Sequence, residues 1–231
     1  MDIYLDSADT SQWALPAGCP PVVGVTTNPS LVFQAGLPVN LASYERLVRA
    51  AGAVGMAQIM VQLPGNDIQM AGAWVHKLQV TAAQERVQLT IKLPCHPAWT
   101  ACIAAVQAMQ QAVLLTGLSN AVQLLWAQSM HADFVAPYVG RLAADSSHGG
   151  RDVWSLMQAC VAAQNCDSPN RGPKLLAASI KSPDVLARLM GMGAAAVTLP
   201  PASLIAWSHD SVTDAAMAQF ERDILASQAL G

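Results

Sequence analysis

The feature that most constrains this chain is an alternation repeated along its length, in which short apolar runs are each followed by polar punctuation and then a segment of helical periodicity. The apolar runs fall at Ile3–Leu5, Val22–Thr26, Ala57–Val61, Val87–Leu93, Ala112–Leu115, Phe134–Val139, Leu175–Ile180 and Ala195–Leu199. Helical periodicity occupies Leu41–Ala51, Gln69–Gln79, Trp99–Gln110, Asn120–Met130, Asp152–Gln164, Pro183–Met190 and Ala202–Trp207, with a single short turn near Ser11–Leu15 in the first gap. Strands alternating with helices of this length imply a parallel sheet buried on both faces. Eight such strands in 231 residues fit a closed (β/α)8 barrel. An open doubly wound sheet would carry a glycine-rich fingerprint after one strand, and none is present. The expectation is therefore the α/β class: one TIM barrel over residues 1–231, with an additional C-terminal helix at Thr213–Ala226. Surface loops are expected at Ala143–Gly150 and Asn165–Pro173, both rich in Ser, Gly, Asn and Pro.

Composition narrows the partners. Charged residues make up 12 % of the chain, about half of the usual share, which points to a surface partly covered by other subunits. With a net charge of −3 and no basic run, a nucleic-acid footprint is not expected. No apolar stretch approaches the roughly 18 residues of a membrane span, and the start Met1-Asp2-Ile3-Tyr4 lacks the basic region of a secretory leader. Five cysteines without a C-x-x-C pair read as reduced thiols, so the expected location is cytoplasmic. The five histidines are scattered, and no metal site is expected from their spacing.

A buried parallel strand is nearly all apolar, so polar residues within one need a reason. In Val87-Gln88-Leu89-Thr90-Ile91-Lys92-Leu93-Pro94, period-two alternation directs Val87, Leu89, Ile91 and Leu93 to one face and Gln88, Thr90 and Lys92 to the other. Lys92 stands at the C-terminal end, where barrel enzymes place their chemistry. A lysine there loses hydration, which disfavours the ammonium and yields a nucleophilic amine; imine formation with a carbonyl needs such an amine. The plainer alternative is a lysine whose head snorkels to water or neutralises a carboxylate.

Other strand ends repeat the pattern. Tyr4 and Asp6 alternate on the first strand, Thr26 and Asn28 on the second; Gln58 lies on the third, and Thr116 and Tyr138 end the fifth and sixth. Taken singly, Asp6-Ser7 is explained by a helix cap and Asn28-Pro29 by a turn; around one lysine they read as a site. Lys181 ends the seventh strand ahead of Ser182-Pro183-Asp184, a capped helix start, and the loops after strands seven and eight are the usual phosphate site of a barrel. Arg141 would face the same mouth. Either cation alone is better read as a solvated surface charge; their positions together point to a phosphate clamp.

These residues carry a family resemblance. Tyr-Leu-Asp-Ser-Ala at 4–8, Gly-Val-Thr-Thr-Asn-Pro-Ser at 24–30, Ile-Lys-Leu-Pro at 91–94, Ala-Pro-Tyr-Val-Gly-Arg at 136–141 and Ala-Ala-Ser-Ile-Lys at 177–181 resemble the transaldolase family, and more narrowly its small branch containing fructose-6-phosphate aldolase. The resemblance implies Lys92 as the Schiff-base lysine and Asp6 as the acid assisting proton transfer to the imine. It implies Gln58, Thr116 and Tyr138 as holders of the catalytic water, with the tyrosine as acid/base. Thr26 and Asn28 would bind substrate, Asn28 through its hydroxyls, and Arg141, Ser179 and Lys181 would bind its phosphate. No cofactor is implied. The branch forms ring-like assemblies, so a homo-oligomer, pentameric or decameric, is expected.

Two positions separate the branches: transaldolases proper carry glutamate where this chain has Gln58, and phenylalanine where it has Tyr138. The expected activity is therefore reversible cleavage of fructose 6-phosphate or a related ketose to dihydroxyacetone and glyceraldehyde 3-phosphate. The alternatives are a transaldolase that passes the three-carbon unit to a second sugar phosphate, and a sugar-phosphate-binding or structural oligomer without catalysis. The chain departs from the family pattern at Cys95-His96-Pro97-Ala98-Trp99, where a threonine and then Glu-Gly are usual, and at Ala143, where an aspartate is usual and the nearest acid is Asp145.

Overall fold

Along each strand, alternation sorts the side chains onto two sides. In the computed structural model, which describes residues 1–145, 152–166 and 172–229, the strands are β1 (Asp2–Asp6), β2 (Gly24–Thr26), β3 (Gln58–Gln62), β4 (Gln88–Pro94), β5 (Ala112–Leu118), β6 (Phe134–Pro137), β7 (Lys174–Ala177) and β8 (Ala196–Leu199). They pair in parallel and in sequence order, and β8 returns to pair with β1, closing the barrel. Leu89, Ile91 and Leu93 of β4 face outward into the larger core, shared with the surrounding helices, as do Val197 and Leu199 of β8. A separate inner cluster joins Tyr4, Met60, Leu114, Ala136, Leu176 and Ala196. Two of these six are alanine, so the apolar filling occupies only part of the interior, and polar side chains take the rest.

The helices are α1 (Pro29–Gln34), α2 (Leu41–Ala53), α3 (Ile68–Glu85), α4 (Thr100–Ala108), α5 (Ala121–Ser129), α6 (Val139–Ala144), α7 (Val153–Gln164), α8 (Pro183–Met192), α9 (Pro201–Trp207) and α10 (Ser211–Gln228). The chain is thus a (β/α)8 TIM barrel with an additional C-terminal helix. Capping explains several boundaries. Asp67 accepts from the Met70 amide at the start of α3, which runs on to Arg86 in the left-handed conformation. Ser182 accepts from Val185 and Pro183 fills the first turn of α8.

Three local expectations are corrected. Asn28-Pro29 is not a simple turn: the Asn28 carboxamide caps α1 and Pro29 supplies its first residue. The segment near Ser11–Leu15 is a 3-10 turn over Thr10–Gln12, capped by Asp9. The sixth strand stops at Pro137, Tyr138 pairs with Ala178 in a last parallel bridge in which the Val139 amide bonds to the Ala178 carbonyl, and Val139–Ala144 is helical. Of the loops expected at Ala143–Gly150 and Asn165–Pro173, residues 146–150 and 167–171 lie outside the described residues, and Ala143 and Ala144 close α6 instead.

α10 has no buried residue, and Val212, Met217, Phe220, Ile224 and Leu225 on it are all more than half exposed. Among the described residues no helix is long and apolar enough to cross a membrane.

Candidate active site

At the C-terminal end of the strands, a cavity of about 180 Å³ opens inside the barrel, walled by Asp6, Asn28, Lys92, Thr116, Tyr138, Arg141, Ser179, Lys181 and Thr198 together with apolar neighbours. These residues come from seven of the strands and the loops that follow them. Eight of the ten residues expected from the sequence share this wall. Thr26 stands immediately behind Asp6, donating from Oγ1 to Asp6 Oδ1 at 3.1 Å. Gln58 is not on the wall. As the first residue of β3 it lies below, where its Oε1 accepts from the Tyr4 hydroxyl at 2.6 Å and its Nε2 donates to Thr90 Oγ1 at 2.7 Å. Thr90 is the inward residue one step beneath Lys92, so this stack forms a dry, hydrogen-bonded floor under the lysine.

Lys92 is 5 % exposed. Burial lowers its pKa from 10.5 to about 8, against the opposing field of the Asp6 carboxylate. Asp6 acts through space: among the described residues no ion pair within 4.0 Å engages Lys92. A buried lysine without a direct counter-ion keeps a neutral fraction that grows as the pH approaches 8. The snorkelling alternative does not hold for a side chain so enclosed.

Around the lysine, each polar group keeps free hydrogen-bonding capacity toward the cavity. Asn28 Oδ1 is spent on the Leu31 amide at 3.0 Å, which leaves its NH2 as the cavity-facing donor. Thr116 Oγ1 donates to the Tyr138 hydroxyl at 2.8 Å. The β5–β6 register shifts between Thr116 and Leu118, where Gly117 adopts φ +76, a value that favours glycine. That irregularity lies beside the Thr116–Tyr138 bond. The Arg141 guanidinium lies 4.8 Å from the Tyr138 ring centre, joining the cationic and phenolic parts of the wall.

Arg141, Ser179 and Lys181 meet because the start of α6 lies against the loop after β7. A Cβ on Gly140 would fall 2.4 Å from the Ser179 carbonyl oxygen and 2.7 Å from Lys181 Cγ, so only glycine allows this approach. Ser179 itself holds φ +60, an unusual conformation for a non-glycine residue. Arg141 and Lys181 are exposed at the rim, where they offer two cations beside a serine hydroxyl. The atypical Cys95-His96-Pro97 segment forms a 3-10 turn capped by His96 and lies off the cavity wall, as does Asp145. Thr198 was not among the expected residues. Its signal was the same as that of Thr90: a polar residue on the inward face of an apolar strand, two positions from inward Ala196.

Relatives of this chain carry the transaldolase name. The chain is 29 % identical to a "Probable transaldolase" of Hyphomonas neptunium, with 96 % of each chain covered. It is 27 % identical to a protein of the same name from Caulobacter sp. (strain K31), again over 96 % of each. Among solved structures it superposes on a flavocytochrome b2 variant with sulfite bound, at TM-score 0.57 and 12 % identity, over 90 % of this chain and 59 % of that one; this likeness concerns the fold alone. The family model described as Transaldolase/Fructose-6-phosphate aldolase matches residues 3–230, and the chain belongs to that family.

Proposed function

We propose that the protein is a Schiff-base aldolase that cleaves fructose 6-phosphate or a related ketose to dihydroxyacetone and an aldehyde, with Lys92 as the nucleophile. The observation that carries this reading is the lysine itself, buried in a polar cavity, its pKa lowered to about 8 and no direct counter-ion within reach.

The Lys92 amine adds to the ketone carbon, and the carbinolamine hydroxyl leaves as water to give an iminium. Asp6 is the group beside the lysine suited to deliver and remove the protons. As the C4 hydroxyl loses its proton, the C3–C4 bond breaks and its electrons pass into the iminium, giving an enamine and the aldehyde. Protonation of the enamine carbon and addition of water then return the free amine and dihydroxyacetone. The Asn28 NH2 and Thr26 fit the substrate-holding role, and Arg141, Ser179 and Lys181 fit a phosphate at the rim. Gln58, set below Lys92, would act on water only through the floor it shares with Thr90.

Tyr138 supports hydrolytic release. Its oxygen accepts from Thr116, so its own proton is available to the enamine. The second reading, transfer of the three-carbon unit to an acceptor aldose, is supported by the names of the relatives. Incubation of dihydroxyacetone with glyceraldehyde 3-phosphate, without any ketose donor, distinguishes the two: an aldolase condenses them, whereas an obligate transferase does not. The protein is further proposed to work as a homo-oligomer, since the apolar residues of α10 are exposed in the single chain.

A further inference from the structure

Three hydroxyl and carboxyl groups from three strands form an unbranched line beside Lys92. Thr198 Oγ1 of β8 lies 2.9 Å from Thr26 Oγ1 of β2, which donates to Asp6 Oδ1 of β1 at 3.1 Å. Both threonines are buried, at 2 % and 0 % exposure. A threonine hydroxyl has one hydrogen and two lone pairs. The Thr26 hydrogen is spent on the ionised Asp6, so the contact between the threonines is satisfied only if Thr198 donates. The line therefore has one direction, from Thr198 to Thr26 to Asp6, for as long as Asp6 is charged. A donor arriving at Thr26 polarises its O–H bond toward the carboxylate. This holds Oδ1 with neutral groups and leaves Oδ2 without a hydrogen-bond partner among the described residues. An ion pair in place of the hydroxyls would neutralise the carboxylate that proton transfer requires.

We propose that Thr198 is a positioning residue of this site, orienting and polarising Asp6 through Thr26. The proposal rests on the Schiff-base reading of Lys92. Thr198 makes no covalent contact in the reaction; it fixes which carboxylate oxygen works. Loss of its hydroxyl leaves the Thr26 hydrogen less firmly directed at Asp6 Oδ1, so the carboxylate is held less well for proton transfer.

The test compares Thr198→Val, which keeps the branched shape suited to a strand, with Thr198→Ser, which keeps the hydroxyl. Expected for Thr198→Val are a kcat lower by about five- to tenfold, as for one lost buried hydrogen bond, and a KM within about twofold. Thr198→Ser should recover kcat. Thr26→Val combined with Thr198→Val should be no worse than Thr26→Val alone, because one residue acts through the other. Equal losses in the Val and Ser variants, additive losses in the double variant, or a Thr198→Val protein with wild-type kcat would overturn the proposal. Where Val unfolds the barrel, Thr198→Ala replaces it in the same comparison. Borohydride trapping with dihydroxyacetone, run in parallel, separates the two ideas: wild-type protein labelled at Lys92 with an indifferent Thr198→Val leaves the Schiff base standing and removes the relay, and wild-type protein left unlabelled removes both.

Discussion

Thr116 Oγ1 donates its hydrogen to the Tyr138 hydroxyl at 2.8 Å, and this one bond leaves the phenol holding a proton that it can give to the cavity. A phenylalanine at the same position would leave the Thr116 hydroxyl pointing at a ring edge, with no acid in reach. Tyr138→Phe should therefore lower aldol cleavage by about 10²–10⁴-fold while imine formation persists, since Lys92 and Asp6 are untouched. The enamine then survives longer, and the ratio of transfer to free dihydroxyacetone release should rise. Wild-type cleavage with an unchanged ratio, measured at steady state with and without an acceptor aldose, would make the tyrosine a wall only.

Lys92 predicts that activity and stability both rise with pH. Its pKa falls from 10.5 to about 8 on burial, so kcat/KM should rise with pH through about 8 as the amine loses its proton. For stability, the folded state binds fewer protons than the unfolded chain between those two values, so unfolding free energy rises with pH across that window. Below about 8 the buried ammonium costs on the order of 3 kcal/mol. Lys92→Met should be inactive yet more stable than wild type at pH 7, with the difference shrinking toward pH 10. Thermal melts at the two pH values check this, and a Lys92→Met protein less stable at pH 7 would contradict it.

At the rim, Arg141→Ala and Lys181→Ala should each raise KM for phosphorylated aldehydes by at least about tenfold, or roughly 1.4 kcal/mol, and leave an unphosphorylated acceptor nearly unaffected. Arg141 also stacks on Tyr138, so its variant alone is expected to lose some kcat. Equal losses with both acceptors in the Lys181 variant would argue for a structural role.

The homo-oligomer proposed above should fall to smaller species, without loss of the barrel, when residues 211–231 are removed. Light scattering coupled to size exclusion reads the mass, and circular dichroism reads the fold. An unchanged mass would mean that the exposed Met217, Phe220 and Ile224 serve no subunit contact.

Much of the arrangement was legible before any coordinates. Period two along Val87–Pro94 separated Thr90 and Lys92 from Leu89, Ile91 and Leu93, and the two cores divide along that line. The helices were legible from period and caps, although α3 extends six residues past the expected end at Gln79, to Glu85. Where reading failed, a tertiary contact decided. Val139 was expected to extend a strand, but the pairing with the segment after β7 ends at the Tyr138–Ala178 bridge and the chain turns into α6, a limit set by a partner segment distant in sequence.

The sequence by itself determined which faces of the strands are polar, where the buried strand lysine sits, and the family to which the motifs belong, because alternation and local capping are set by neighbours in the chain. Only the tertiary structure decided depth and direction. It set Gln58 beneath the lysine instead of at the cavity wall, and it brought Thr198 within 2.9 Å of Thr26 across 172 residues of chain. The physical reason is barrel closure: β8 meets β1 at a register that no local pattern encodes, and that register determines which inward side chains from distant strands share a hydrogen bond.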